Sequence, residues 1–356
     1  MAKNDLGSLR REIDKLDRKL WQILSERLDT SVQIKRLKSE ITDPRREEEV
    51  LARAKDVSQG LLSGEFCASL MKQIIQECTR LQHQSLSLIA FRGLHGSFGE
   101  LAVRAFNKDA AAIPNLELSE VFQLVESGGA DYAIVPLEDA VDETESEVMQ
   151  YLIDSPLYIN AEVLVTVQHA LLISPGTSHR ELQEAYSSVA SLSRCSAFLK
   201  RNRLISKPMV ESTAAAQMLA RGDIGGVAVI ANTYAASIYG LEVLKDGIDD
   251  KPNQTIRYVV LSKEPNKDQG NRCSITFEIE HKSGSLQEVL NLFGAEKINL
   301  LSIQSIADPS TRSSIRFVLD FKGYDKDENV TRALEKVKSI TSNLRLLGCY
   351  HSLAAK

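Results

Sequence analysis

Apolar residues recur at three- and four-residue steps near the start of the chain. Leu16, Leu20, Ile23, Leu24, Leu28 and Val32 form one stripe, and no Gly or Pro interrupts residues 9–43. The pattern predicts a single long charged helix running up to Pro44. Asp43 then reads as a cap and Pro44 as a first-turn residue opening a second helix, and a third is expected at residues 65–84. The texture changes at SLSLIAF, residues 85–91, and strand-like and helix-like segments alternate from there to about residue 262. Strands are expected at 88–91, 132–135, 161–173, 226–230 and 258–261, with helices at 98–106, 191–200 and 212–220. Such alternation predicts an α/β unit with mixed sheets. KEPNKDQGN, residues 263–271, is a polar linker. Residues 272–350 follow the order β, α, β, β, α, β of a ferredoxin-like α+β unit. The chain is therefore read as multidomain: all-α over 1–85, α/β over 86–262 and α+β over 272–356.

A length of 356 residues allows three such cores. The net charge of -5 argues against a nucleic-acid partner, so clustered arginines imply local anion sites. Cys67, Cys78, Cys195, Cys273 and Cys349 form no CxxC pair and have no His at ligand spacing. They read as reduced cytoplasmic thiols, with no metal site. The charged start is unlike a signal peptide, and no apolar run reaches the length of a membrane span.

Arg27 and Lys38 stand 11 residues apart, about three turns, which on one helix gives roughly 16 Å of rise on a common face. Two long cationic side chains so placed can bracket a small dianion. Arg10 lies 17 residues before Arg27, roughly 25 Å along the axis. It can serve such a site only from an antiparallel partner helix. Cys78 and Gln82 share a face of the third helix, one turn apart. Singly, these are ordinary helix side chains. Together, Arg10, Arg27, Lys38, the Asp43-x-x-Arg46-Glu47 element and Gln82 make residues 8–85 resemble the all-helical chorismate mutase family. The resemblance implies an interlocked homodimer in which the partner's copy of Arg10 joins Arg27 on the two carboxylates. Lys38 and Gln82 would face the ether oxygen, and Arg46 and Glu47 would hold the substrate hydroxyl. Cys78 stands where the family often has Ser. The implied conversion of chorismate to prephenate is a one-substrate pericyclic rearrangement that needs no cofactor. Holding the compact conformer and stabilising charge on the ether oxygen suffice.

In the middle unit, RGLHGSFGE places Gly93 and Gly96 before a helix, and Glu211-Ser212-Thr213-Ala214 opens another. Helix N-termini favour carboxylates or phosphates, although most such sequences are only caps. With VPLED at 135–139, SSVASLSRC at 187–195, ANTYAASIYGL at 231–241 and DDKPNQTIRY at 249–258, residues 87–262 are similar to the prephenate dehydratase family. This implies two α/β lobes around a substrate cleft. The whole chain then resembles the bifunctional chorismate mutase–prephenate dehydratases that make phenylpyruvate. Cleft residues retained are Phe98, Glu138, Ser212, Thr213 and Arg257, and Ser97 belongs to the cleft where the family's Gly-Pro-x-Gly-Thr-Phe loop, here Gly93-Leu94-His95-Gly96-Ser97-Phe98, has Thr. The family's Asn-x-Thr-Arg-Phe segment supplies a threonine hydroxyl that assists loss of the ring hydroxyl, and that position is Ile256 here. Thr255 is adjacent, but a one-residue shift in a strand points to the opposite face unless a bulge intervenes. Glu138-Asp139-Ala140 replaces Glu-Asn-Ser, and Ser187-Ser188-Val189 replaces Ser-His-Pro. His95 is either a replacement acid or an incidental loop residue.

Residues 281–305 resemble the ACT regulatory domain, with Gly284 and Leu286 matching its Gly-x-Leu element. An aromatic amino acid effector is implied, and Gly284 would let it approach the backbone. The family's Glu-Ser-Arg-Pro is Gln304-Ser305-Ile306-Ala307, which removes two charges from its allosteric interface. Three readings stay open for the middle unit: a working dehydratase, a non-catalytic module that binds prephenate or an amino acid, or a decarboxylase that does not aromatise its product. Expected ligands are chorismate and prephenate, and the expected assembly is a homodimer, or a tetramer through both end units.

Overall fold

The computed structural model describes residues 6–38, 40–57, 60–138, 145–306 and 314–354. Asp139, Ala140 and Ala307 lie outside the described residues. The chain opens with α1 (Leu6–Ile34), followed by a short 3-10 turn over Lys35–Leu37 and an extended Lys38. The first helix thus stops at Ile34, where the apolar pattern alone carries it on to Pro44. Two contacts take the chain over: Lys35 Nζ donates to the carbonyl of Gln84, just past the third helix of the same unit (2.9 Å), and Arg36 pairs with Asp131 of the next unit (2.6 Å). The second start is as expected. Asp43 accepts the Arg46 N–H (3.0 Å) and Pro44 occupies the first turn of α2 (Pro44–Asp56). Ser63 caps α3 (Gly64–His83) in the same way.

The middle unit has two sheets. Strands β1 (Leu88–Arg92), β2 (Ala111–Asn115), β3 (Tyr132–Glu138) and β4 (Tyr158–Thr166) are interleaved with α4 (Phe98–Phe106), α5 (Leu118–Glu126) and α6 (Glu145–Asp154). The chain then crosses to a second lobe of β5 (Ala170–Ile173), β6 (Glu184–Ser188), α7 (Val189–Arg194), α8 (Ser196–Arg201), β7 (Ile205–Met209), α9 (Ser212–Arg221), β8 (Ala228–Ala231), α10 (Thr233–Tyr239) and β9 (Glu242–Asp246). It returns with β10 (Thr255–Ser262), which lies between β3 and β4. The apolar run at 161–173 is therefore two strands in two sheets. The break at residues 167–169 is the first crossing between lobes, and residues 247–254 form the second.

The C-terminal unit comprises β11 (Arg272–Glu280), α11 (Ser285–Ala295), β12 (Leu300–Ile306), β13 (Ser314–Lys322), α12 (Glu328–Ile340) and β14 (Ser342–Ala354). Its antiparallel order β12-β13-β11-β14 continues through β4-β10-β3-β1-β2 into one nine-stranded sheet, because the end of β14 pairs parallel with β4. Two expectations are corrected at this junction. Cys273 and Cys349 are not free thiols but form a disulfide. They face each other across β11 and β14, Cα atoms 4.2 Å apart and 76 residues apart in sequence, an adjacency that spacing along the chain does not show. Arg257 does not face the cleft. It is 5 % exposed and reaches behind the sheet to Glu162, Asp320 (2.9 Å) and the Tyr350 hydroxyl (2.8 Å), while Arg272 bridges the same two carboxylates (2.8 and 2.6 Å). Arg257, Glu162 and Asp320 are buried and Arg272 is half-buried, so each of the two carboxylates faces both arginines. Although burial works against it, the Asp320 carboxyl is held below its usual range by Arg257 and Arg272.

Candidate active sites

A cavity of about 360 Å³ opens between the helices of the first unit, large enough for a small ligand. Its lining includes Arg27, Lys38, Asp43, Arg46, Glu47, Cys78 and Gln82, so seven of the eight residues named from sequence converge there. Arg10 does not. It is exposed near the far end of α1, where 17 residues of helix put it roughly 25 Å from Arg27. Lys38 reaches the cavity from extended backbone rather than from the helix face. The Arg27 guanidinium donates to Cys78 Sγ (2.8 Å) and Met71 Sδ (3.8 Å). Sulfur acceptors orient it, and among the described residues no carboxylate pairs with it. Asp43 is occupied as the α2 cap and Arg46 pairs with Glu49 (3.4 Å), so both are tied into the wall. Gln82 Nε2 donates to the Ser31 carbonyl (2.6 Å) and to Ser31 Oγ (3.2 Å). The second, longer bond is the one a ligand can displace.

The second site is a cleft of about 400 Å³ between the lobes of the middle unit, lined by Ser97, Phe98, Ser212 and Ile256 among others. Ile256 and Tyr258 face it, whereas Arg257 between them faces away, as alternation requires. Thr255 is exposed and pairs in regular register with Thr166, next to Ile256 opposite Val165. The register shift of β10 against β3 falls later, between Arg257 and Tyr258, and does not turn Thr255 inward, so Thr255 does not take the place of the missing hydroxyl. Thr213 is fully buried one residue inside the Ser212 edge, and its Oγ1 makes no hydrogen bond. Glu138 ends β3. His169 lines the cleft and is not among the residues named from sequence, whereas Ser188, Ser191 and Arg194, which join it there, lie in the SSVASLSRC segment that carries the family likeness but is given no cleft role. The available signal was a lone His inside the apolar run at 161–173. Asp249 Oδ1 lies 2.6 Å from His169 Nδ1, and Asp249 Oδ2 accepts the His169 backbone N–H (2.6 Å). His169 Nε2 lies 2.9 Å from Ser191 Oγ, which is 3.0 Å from Ser188 Oγ. Cys195 is near enough to join His169 and Asp249 on a cation. With both ring nitrogens engaged and burial pushing the Cys195 thiol up, this trio does not suit a metal.

His95 faces away from that cleft. It lies in a separate cavity of about 540 Å³ between α1 and the middle unit, 2.8 Å from Asp29 of α1 and 3.1 Å from the almost wholly buried Glu100. Glu100 also accepts from the Gly96 N–H (2.8 Å) and pairs with Arg104 (3.0 Å). Burial disfavours the imidazolium, but hydrogen bonds to Asp29 and Glu100 outweigh it and hold His95 up at about 9, with Glu100 down at about 2. His95 is thus a charged link between units rather than a cleft acid. Its contribution is complete below the ordinary value of 6.5 and is lost as pH rises through about 9, on the order of 3 kcal/mol in all. The melting temperature is expected to decline between pH 7 and 9 in the parent chain and to decline less in His95→Asn. Equal slopes would show that the link does not support the fold.

In the C-terminal unit Gly284 caps α11 with φ +91°, a left-handed conformation that explains the glycine, and no atom lies near its open face. Leu286 packs against the local core. No helix among the described residues is long and apolar enough to cross a membrane.

Residues 9–83 match the family model of chorismate mutase type II, and residues 89–266 match that of prephenate dehydratase. A bifunctional chorismate mutase/prephenate dehydratase of Pseudomonas aeruginosa is 28% identical over 98% of this chain and 99% of its own. Arogenate dehydratase 3, chloroplastic, of Arabidopsis thaliana is 31% identical over 75% of this chain and 68% of its own. Among solved structures, a prephenate dehydratase from Arthrobacter aurescens in complex with L-Phe superposes with a TM-score of 0.70 at 25% identity, covering 74% of this chain and 90% of that one.

Proposed function

The chain belongs to the family of bifunctional chorismate mutase/prephenate dehydratases, enzymes of aromatic amino acid biosynthesis, and on that premise we propose how its parts divide the work. The helical unit, residues 1–85, rearranges chorismate to prephenate. One observation carries this: Arg27, Lys38, Arg46, Glu47 and Gln82 line one ligand-sized cavity. Arg27, held by sulfur partners, binds a carboxylate. Lys38 and the displaceable N–H of Gln82 meet the ether oxygen, where negative charge grows as the C–O bond breaks and the new C–C bond forms. Glu47 and Arg46 take the hydroxyl. The second carboxylate falls to Arg10 of a second copy. Leu9, Ile13, Leu16, Leu20 and Ile23 are each about half exposed along α1, and an antiparallel α1 from that copy would cover them.

Prephenate is then taken by the cleft of residues 86–262, where Ser97, Phe98, Ser212 and Ser188 meet it and Ile256 offers no proton. Residues 272–356 form the ferredoxin-like ACT unit. The L-Phe-bound Arthrobacter structure favours an aromatic amino acid as its effector at the Gly284 turn. Incubation of the purified chain with chorismate is expected to consume it by way of prephenate. Chorismate left intact would overturn the assignment.

A further inference from the structure

Ionisation of a ring hydroxyl needs a proton at the departing oxygen, and of the two β10 residues that face the cleft, Ile256 and Tyr258, the one at the family threonine's position, Ile256, has none to give. On the other wall a chain of groups runs from the protein interior to the cleft surface. Asp249 holds His169 through both the ring Nδ1 and the backbone N–H (2.6 Å each). This fixes the ring, and Phe98 packs against it edge-on at 5.3 Å. Nε2 then meets Ser191 Oγ at 2.9 Å, and Ser191 meets Ser188 at 3.0 Å. His169 and Ser191 are 1 % and 6 % exposed. Ser188 is half-buried and lines the cleft, so the buried chain surfaces at its hydroxyl. His169 sits on the first crossing between lobes and Asp249 on the second. Clamping the crossings together needs only the Asp249 contacts. Ser188 Oγ also caps α7 by accepting the Ser191 backbone N–H (3.2 Å), but capping does not call for the Ser191 hydroxyl to meet His169, and that onward path leads to the cleft.

We propose that Ser188 is the cleft's proton donor, supplied through Ser191 from His169, with Asp249 orienting the imidazole; this rests on reading the cleft as a prephenate site. As the bond from the ring to its carboxylate breaks, its electron pair completes the aromatic ring and expels the hydroxyl. The departing oxygen takes the Ser188 proton and leaves as water. The relay runs as one concerted transfer from the His169 imidazolium: Ser188 takes a proton from Ser191, whose hydroxyl turns from accepting the Ser188 O–H, Ser191 takes one from Nε2–H while Nδ1–H stays on Asp249, and His169 then takes one proton from solvent. The sum is prephenate plus one proton giving phenylpyruvate, carbon dioxide and water. Ser188 is the catalytic residue here, and Ser191, His169 and Asp249 act through it.

The test is single-turnover conversion of prephenate by the full-length chain, with mutase activity on chorismate measured in every variant to show that the chain remains folded. Ser188→Ala is expected to slow phenylpyruvate formation by about 10²-fold or more with prephenate affinity retained, and Ser191→Thr to stay much closer to the parent than Ser191→Ala. In mixtures of light and heavy water the parent rate should bow downward, as it does when more than one proton moves, and become linear in Ser191→Ala, which a purely structural serine would not cause. No phenylpyruvate from the parent chain would overturn the cleft reading and the relay with it. Turnover indifferent to Ser188→Ala, or a linear dependence in the parent, would overturn the relay alone.

Discussion

Arg27→Ala is expected to lower kcat/KM for chorismate by about 10²-fold or more, the cost of losing the cation that binds one carboxylate and so holds the compact conformer in place. Two features make the loss large. The guanidinium is held by Cys78 and Met71, and among the described residues no carboxylate pairs with it. No reaction intermediate is covalent, so the protein acts only by holding the compact conformer and stabilising charge, and Arg27 serves the first. Because those sulfur contacts are weak, the melting temperature should hardly move. Steady-state kinetics beside a thermal melt will check both, and an unchanged kcat/KM would remove Arg27 from the site. Mixing Arg27→Ala chains with Arg10→Ala chains extends the test. If Arg10 completes the partner's cavity, some activity returns in the mixed dimer.

Arg257→Ala is expected to act on stability instead. Glu162 and Asp320 are 2 % and 1 % exposed, and removing one of their two arginines leaves buried negative charge uncompensated, a loss of about 3–5 kcal/mol. The group also ties β4 and β10 to β11, β13 and β14, so unfolding should become less cooperative between the middle and C-terminal units. Denaturant titration followed by fluorescence and by circular dichroism will read the loss. A stable Arg257→Ala chain that fails only to process prephenate would return Arg257 to the cleft.

Family likeness alone placed Arg257 in the cleft, and strand alternation sent it to the other face. The same alternation kept Ile256 inward and Thr255 outward, which was legible from the sequence because it depends only on a period of two. The cavity residues of the helical unit were legible as well, even though the single-helix geometry behind the Arg27–Lys38 spacing was not what places them. Lys38 arrives after the helix has ended, since Lys35 and Arg36 are drawn to Gln84 and Asp131. His95 was read as a cleft acid or an idle loop residue and is neither, because Asp29 approaches it from 66 residues away.

What the sequence by itself determined is local: the apolar stripe of α1, the Asp43-Pro44 start of α2, the βαββαβ order of the last unit, and an isoleucine where the cleft would use a hydroxyl. Each is fixed by periodicity, capping or residue chemistry within a few turns of chain. Tertiary structure alone decided the pairs that close over long separations: Cys273 with Cys349 across 76 residues, His169 with Asp249 across 80, and Arg257 with Glu162 across 95. These depend on which strands become neighbours in the sheet and where the chain crosses between lobes. No spacing along the sequence records that choice, because the burial of whole faces sets it.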